Sequence, residues 1–179
     1  MSYEKGKKYN VLEGVQSMKA KVAINGFGRI GRMVFRKAIL DDNLEIIAVN
    51  ASYPAETLAH LIKYDTNHGK FTGEVKAEQD ALIINGKKVQ LINNRNPEEL
   101  PWKELEIDIV IEATGKFNSR EKAALHLNAG AKKVILTAPG KNEDVTIVMG
   151  VNENVLIYPL KQRNISNMND IQNCNKQLR

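Results

Sequence analysis

Three spaced glycines between an apolar run and a helix-like segment constrain this chain more than any other feature. Residues 20–25 are mostly apolar, and Gly26, Gly28 and Gly31 follow them with the spacing G-x-G-x-x-G. Sequence with helical period begins at about residue 29. This order predicts a strand, a tight turn at Gly26 and a helix that packs closely against a sheet at Gly31.

The start of the predicted helix is a candidate anion site. The N–H groups around Arg29 and Ile30 would carry the positive end of the helix dipole, and they would bind a phosphate without any side chain. Gly28 would let the backbone approach a pyrophosphate. A glycine-rich turn without function is the alternative, but the strand before it and the helix after it favour a dinucleotide site.

Apolar runs alternate with segments of helical period through the rest of the chain. Strands are predicted at 44–50, 107–113, 134–137 and 145–149, and helices at about 29–40, 54–63 and 119–128. In the first helix, Ile30, Val34 and Ala38 are predicted to face the sheet. Between them, the short β candidates 72–77, 81–84 and 88–92 surround Asn85-Gly86, which is typical of a hairpin turn. The predicted fold class is α/β, a Rossmann-type doubly wound, mainly parallel sheet with a short antiparallel insertion.

Composition argues against several classes of function. The single cysteine, Cys174, excludes an internal disulfide, and no Cys/His cluster has the spacing of a metal site. The net charge of +5 comes from scattered lysines and arginines, so a nucleic-acid partner is not expected. No segment approaches the roughly 20 apolar residues of a membrane span, and no export signal is visible. We therefore expect a cytoplasmic protein without a membrane partner.

The two ends of the chain differ from its middle. Residues 1–17 show no clear period and are predicted to be a loose N-terminal extension. Residues 152–179 contain ten Asn or Gln, with little apolar period. The predicted organisation is an extension at 1–17, a dinucleotide-binding domain at 18–152, and a divergent, disordered tail at 153–179.

The middle of the chain carries a series of specific motifs. They are INGFGRIGR at 24–32, LAHLIKYD at 58–65, HGKF at 68–71, EATG at 112–115, GAKKV at 130–134, TAPGK at 137–141 and VMGVN at 148–152. On these motifs the chain resembles the amino-terminal, NAD(P)-binding half of a phosphorylating glyceraldehyde-3-phosphate dehydrogenase. The resemblance implies an oxidoreductase of glycolysis or gluconeogenesis that couples aldehyde oxidation to phosphorylation and transfers hydride to NAD(P).

The resemblance also implies which residues hold the cofactor. The glycine loop would bind the pyrophosphate, the end of the second strand would lie by the adenosine, and two later strand ends would lead towards the nicotinamide. The residues so implied are Asn25, Gly26, Phe27, Gly28, Arg29, Ile30 and Gly31; Asn50, Ala51, Ser52 and Arg95; and Thr114, Gly115, Phe117, Thr137 and Ala138. As alternatives, Thr114-Gly115 is only a strand-ending turn, and Phe117 belongs only to the core.

Ala51 marks a departure from the common NAD-dependent members of that family, which have Asp at this position. A Rossmann site that prefers NAD uses such an acid to bind the ribose 2′-OH. Without the carboxylate, a 2′-phosphate escapes a repulsion of about 4 kcal/mol at 4 Å near a protein surface. NADP is therefore predicted as the preferred cofactor over NAD; the alternative is that Ala51 is a plain loop residue and NAD is preferred. The pattern resembles the bacterial gluconeogenic type, and erythrose 4-phosphate is the alternative substrate.

No catalytic residue is assigned. The family's nucleophile lies in a Ser-Cys-Thr-Thr-Asn motif, which the sequence around Cys174 does not match, and His60, His68 and His126 are expected to be structural. The chain is thus expected to be truncated and to lack the catalytic half, which leaves its own enzymatic activity open. A sugar-phosphate aldehyde and the family's homotetramer would require the complete enzyme. The alternatives are a non-catalytic module that binds a dinucleotide or a partner subunit, and an unstable truncated product.

Overall fold

The computed structural model describes residues 19–152 and the backbone of one further strand, Ile165–Met168. The strands in these ranges are β1 (Ala20–Asn25), β2 (Leu44–Asn50), β3 (Val75–Glu78), β4 (Ala81–Ile84), β5 (Lys87–Ile92), β6 (Ile109–Glu112), β7 (Lys133–Leu136), β8 (Val145–Ile147) and β9 (Ile165–Met168). The helices are α1 (Arg29–Ala38), α2 (Ala55–Lys63) and α3 (Arg120–Asn128), with a 3-10 turn at Pro97–Glu99.

All of these strands form one sheet, in the order β3-β4-β5-β2-β1-β6-β7-β9-β8. From β5 to β8 in that order, each strand is parallel to the next, whereas β3 pairs antiparallel with β4 and β4 pairs antiparallel with β5. The chain leaves β1 towards β2 on one side and later returns to β6 on the other. Such a reversal of strand order opens a crevice at the carboxyl ends of the strands. The predicted Rossmann-type fold class is confirmed.

The antiparallel insertion is closed by the turn at Asn85-Gly86. Both residues have positive φ, 53° and 79°, as the inner residues of a type I′ hairpin turn require. The Asn85 side chain adds a hydrogen bond, since its Oδ1 accepts the N–H of Glu74 at 2.8 Å. The turn thereby fixes the register of β4 on β5.

The central strands are covered on both faces. Val22 and Ile24 pack on one face with buried residues of α1 and α2, and Ala23 packs on the other face with Trp102. Successive side chains of a strand point to opposite faces, so an uninterrupted apolar run is what a doubly covered strand needs.

Helix α1 turns a slightly different face to the sheet than its sequence predicted. Its buried residues are Gly31, Phe35 and Ala38, whereas Ile30 and Val34 are only half-buried. The prediction was right for Ala38 and for Val34, which packs against the core although it is only half-buried, but it missed Gly31 and Phe35. Gly31, which has no side chain, lets the start of α1 lie against the end of β1 and the turn after β6.

The later strands also differ from the prediction. Strand β8 ends at Ile147, and β9, which was not predicted, lies between β7 and β8. The predicted extension 1–17, the rest of the predicted tail, and Cys174 lie outside the described residues. Among the described helices, none has the length and apolar character required to cross a bilayer.

Candidate functional site

The residues implied as cofactor ligands follow the carboxyl ends of five adjacent parallel strands. They are Asn25 to Gly31 at the end of β1, Asn50, Ala51 and Ser52 at β2, Arg95 after β5, Thr114, Gly115 and Phe117 after β6, and Thr137 and Ala138 after β7. Because parallel neighbours end on the same edge of a sheet, the fold brings these residues to one edge.

Two of the three loop glycines are required by close packing. Gly26 has φ +94°, and an ideal Cβ on it would lie 2.7 Å from the backbone nitrogen of Thr114. A Cβ on Gly31 would lie 2.2 Å from the carbonyl oxygen of Gly26. Neither position can take a side chain without movement of the backbone. The loop is therefore pressed against both α1 and the turn after β6.

Gly28 is different, because the space beside it is open. A Cβ placed on Gly28 would meet nothing within 4 Å. Gly28 is also the N-cap of α1; among the described residues no side chain hydrogen-bonds to this helix start, and the first turn contains no acidic residue. The first-turn N–H groups have no acceptor within the helix. Open space beside uncapped N–H groups fits an anionic group such as a pyrophosphate.

The remaining residues of the loop have divided roles. The side chain of Phe27 is buried and packs edge-to-face on Phe35, with ring centroids 5.3 Å apart. Its carbonyl oxygen accepts a hydrogen bond from Nη1 of Arg32 at 3.1 Å. Arg29 is exposed and Ile30 half-buried. Phe27 thus anchors the loop through its side chain and offers only its backbone to a ligand.

The predicted adenosine side is organised by Asn50. Its Nδ2 donates to Oδ1 of Asn25 at 2.6 Å and to the carbonyl of Asn94 at 2.7 Å, and its Oδ1 accepts the N–H of Asn94 at 3.0 Å. These bonds use both amide hydrogens of Asn50. The side chain therefore ties β2 to the loop that carries Arg95, which is itself exposed.

The two residues after Asn50 place no charged side chain at the end of β2. Ala51 is half-buried against the core, and its N–H donates to the carbonyl of Ile92 at 2.8 Å. Ser52 is exposed. The backbone of Ala51 thus continues the pairing with β5, while its methyl group stands where a Rossmann site that prefers NAD has a carboxylate.

The turn after β6 is held by the side chain of Glu112. Oε1 of Glu112 accepts the N–H of Thr114 at 2.7 Å and also the hydroxyl of Thr114. Gly115 follows with φ +72°. The Thr137 hydroxyl donates to the Glu112 carbonyl at 3.1 Å, which joins the end of β7 to the same point. Thr114-Gly115 is a strand-ending turn, and it is one with a buried anchor.

A buried polar network continues from Glu112. Its Oε2 accepts Nδ2 of Asn25 at 2.6 Å and lies 3.1 Å from Nε2 of His126. The Nδ1 of His126 lies 3.0 Å from Nε1 of Trp102. An indole N–H can only donate, so Nδ1 is the acceptor and the ring proton is on Nε2, from which it donates to Glu112. Glu112 and His126 are 1 % and 0 % exposed.

No functional role was predicted for Glu112 from the sequence, although an acidic residue at the end of an apolar strand is a recognisable sign of a functional residue. The structural role expected of His126 agrees with its burial, whereas His60 packs its ring on Tyr64 and His68 binds Asp65. The half-buried ring of Phe117 meets His126 edge-on, with centroids 6.2 Å apart. The described residues contain no group of three or more His, Cys, Asp or Glu that could hold a metal ion.

The sequence of this chain is similar to those of known proteins. A family model described as glyceraldehyde 3-phosphate dehydrogenase, NAD binding domain, matches residues 20–120. Glyceraldehyde-3-phosphate dehydrogenase 2 of Bacillus subtilis (strain 168) is 74% identical over 136 residues, which are 76% of this chain and 40% of that protein. Glyceraldehyde-3-phosphate dehydrogenase of Geobacillus stearothermophilus is 52% identical over 157 residues, which are 88% of this chain and 47% of that protein.

A third relative, glyceraldehyde-3-phosphate dehydrogenase 2 of Staphylococcus epidermidis (strain ATCC 12228 / FDA PCI 1200), is 56% identical over 140 residues, which are 78% of this chain and 41% of that protein. The chain thus spans less than half the length of these relatives. The matched family model and the strand-end geometry together support a nicotinamide dinucleotide as the ligand of this edge of the sheet.

Proposed function

This chain belongs to the glyceraldehyde 3-phosphate dehydrogenase NAD-binding domain family, and from that premise we propose that its strand-end site binds NADP in preference to NAD. Gly28 and the first turn of α1 would hold the pyrophosphate, the β2 end the adenosine ribose, and the Thr114-Gly115 turn the nicotinamide side. The bound nicotinamide would accept hydride in an aldehyde oxidation.

The observation that carries this proposal is the open, uncapped start of α1. Gly26 and Gly31 are glycines because their surroundings leave no room for a Cβ, but Gly28 faces open space. A backbone that must only turn has no need of a glycine there, since φ at this position is −68°. A glycine at Gly28 is explained when a ligand comes close to the backbone.

The preference for NADP rests on charge at the end of β2. A carboxylate at this point would repel a 2′-phosphate, and the side chains of Ala51 and Ser52 carry none. The exposed Arg95, in the loop that Asn50 ties to β2, would add a favourable charge. The same departure at Ala51 supports assignment to the bacterial gluconeogenic type, and we also propose that the protein is cytoplasmic.

The complete enzyme would need a further part that carries the nucleophile. We propose that such an enzyme oxidises glyceraldehyde 3-phosphate, with erythrose 4-phosphate as the alternative substrate, and that it assembles as a homotetramer. The Ser-Cys-Thr-Thr-Asn motif is missing from this sequence. That observation favours a second candidate for the chain alone, a module that binds a dinucleotide or a partner subunit without turnover.

Calorimetric titration of the 179-residue chain with NADP and with NAD tests the proposal. We expect both to bind, NADP more tightly. Ala51→Asp should lower the ratio of NADP to NAD affinity about tenfold or more, since it restores the repelling charge. The control Ala51→Asn introduces a side chain of the same size as Asp but without its charge. It should leave the ratio of NADP to NAD affinity near its original value. Equal ratios in the Asp and Asn variants would contradict the charge argument, and absence of binding would contradict the function.

A further inference from the structure

We propose that Glu112 and His126 are positioning residues for the nicotinamide half of the site. Glu112 holds the Thr114-Gly115 turn, and His126 holds the carboxylate of Glu112. The inference rests on the proposed dinucleotide site and adds how its nicotinamide side is kept in place. Neither residue needs to touch the cofactor, since both act through Thr114.

Four donors converge on the two oxygens of Glu112. They are the N–H and hydroxyl of Thr114 on Oε1, and the amide of Asn25 and the ring N–H of His126 on Oε2. A carboxylate has about four lone-pair sites and no proton to donate, so it satisfies all four donors at once. With Glu112 1 % exposed, water cannot replace a lost partner without opening the core.

The hydrogen bonds of the network are all donated towards Glu112: Trp102 donates to His126, and His126 donates to Glu112. His126 accepts at Nδ1 and donates at Nε2, and Asn25 donates to the same Oε2. A glutamine at position 112 would have to point its NH₂ either at Thr114 or at the donors on the other side. Facing His126, it would favour the other ring tautomer, whose Nδ1–H would then oppose the indole N–H. The geometry is therefore specific for a carboxylate.

The position of the turn matters beyond Thr114 itself. The backbone nitrogen of Thr114 would lie only 2.7 Å from an ideal Cβ on Gly26, so the turn and the phosphate loop are in contact. On the other side, Asn25 links Glu112 to Asn50 and the end of β2. Glu112 thus links three neighbouring strand ends: besides His126, its side chain bonds directly to the turn on the predicted nicotinamide side and to Asn25, which leads on to Asn50.

This arrangement predicts a selective loss of affinity. NADP and 2′-phospho-ADP-ribose share the adenosine, the 2′-phosphate and the pyrophosphate, but only NADP carries the nicotinamide. In the 179-residue chain, Glu112→Gln should weaken NADP binding about tenfold or more. It should weaken binding of 2′-phospho-ADP-ribose by no more than about threefold. A role in stability alone would lower both affinities equally.

Trp102→Phe is the matched control, because it removes a hydrogen bond at the far end of the network. It leaves His126 and Glu112 able to hold Thr114, so it should lower stability without changing the ratio of the two affinities. If Glu112→Gln does not fold, a second pair of variants tests the same proposal. His126→Gln keeps a hydrogen-bond donor for Glu112, whereas His126→Leu does not. The ratio of the affinity for NADP to the affinity for 2′-phospho-ADP-ribose should therefore be larger in His126→Gln than in His126→Leu.

The tautomer provides a readout independent of ligand. Trp102 is the single tryptophan of the sequence, so its indole N–H gives one NMR resonance. We expect a hydrogen-bonded indole N–H and a neutral His126 protonated at Nε2 in the wild type, and a shifted indole resonance in Glu112→Gln. Equal loss of both affinities in that variant, or a His126 proton on Nδ1, would overturn the inference alone. A wild-type chain that binds neither ligand would overturn the proposed function and this inference with it.

Discussion

Gly26 and Thr114 are in contact across neighbouring strand ends, because the backbone of Thr114 occupies the place that a side chain at Gly26 would take. An ideal Cβ on Gly26 would lie 2.7 Å from both the backbone nitrogen and Cγ2 of Thr114. The phosphate loop after β1 and the turn after β6 are therefore packed as one unit. A ligand that spans both would meet a preformed surface.

The first prediction concerns Gly26→Ala. The substitution places a methyl group against Thr114 at a φ of +94°, so it combines backbone strain with a steric clash. We expect the free energy of unfolding to fall by about 2–4 kcal/mol. Urea unfolding followed by circular dichroism measures this change. A variant as stable as the wild type would show that the two segments are not pressed together.

Gly28→Ala makes the same chemical change, but its expected outcome differs. The space beside Gly28 is open, and its φ of −68° suits alanine. Stability should change by less than about 1 kcal/mol, since alanine reduces the freedom of the unfolded chain but is a poorer N-cap residue than glycine. Dinucleotide affinity should fall about tenfold or more, because the methyl group fills the approach to the backbone. Unchanged affinity would place the pyrophosphate elsewhere.

Asn50→Asp tests the pairing of β2 with the loop before Arg95. A carboxylate here would face two acceptors, Oδ1 of Asn25 and the carbonyl of Asn94, in place of the two donated hydrogen bonds. We expect a loss of about 1–3 kcal/mol in the free energy of unfolding at pH 7. Gln90→Glu, the same amide-to-acid change at an exposed position of β5, is the control and should cost less than about 0.5 kcal/mol.

The loop after α2 predicts a pH dependence. The backbone N–H of His68, its ring, and the N–H of Asn67 all donate to Asp65 and lower the pKa of its carboxyl from 3.8 to about 2. A depressed pKa in the folded state adds stability that is present above pH 4 and is lost as the pH falls from about 4 towards 2. Asp65→Asn should therefore be less stable than the wild type at pH 7, and the difference should shrink below pH 4.

Urea midpoints of the two proteins between pH 2 and pH 7 measure this difference, with Asp42→Asn, at an exposed acid, as the control. A difference that stays constant with pH would mean that the hydrogen bonds of Asp65 do not depend on its charge in the folded state.

Much of the fold could be predicted from sequence because its signals are local. The hairpin at Asn85-Gly86 needs only positive φ at two consecutive positions, and the glycine loop that joins β1 to α1 is contained in the nine residues 24–32. Strand β9 was not predicted, since the sequence around it is polar and its place between β7 and β8 depends on tertiary pairing. The apolar residues chosen for the buried face of α1 also left out Gly31 and Phe35, which are both buried.

The site was predictable in position but not in its internal bonding. The strand ends follow from the fold class, whereas the bond from Asn25 to Glu112 joins residues 87 positions apart and that from Trp102 to His126 joins residues 24 apart. The first pair forms only once the strand order places β1 beside β6, and the second only once α3 packs next to Trp102. Resemblance to a family gave the candidate ligands, and the structure alone gave the carboxylate that holds one of their turns.

The most direct test of the account is an amide chemical-shift map of the 179-residue chain titrated with NADP. The account predicts saturable shifts at Gly28, Ile30, Thr114 and Gly115, with the hairpin residue Gly86 as an unaffected reference. Shifts at the ends of both β1 and β6 would place one dinucleotide across the crevice. Shifts confined to other surfaces, or none at millimolar NADP, would contradict the claim that this edge of the sheet is a dinucleotide site.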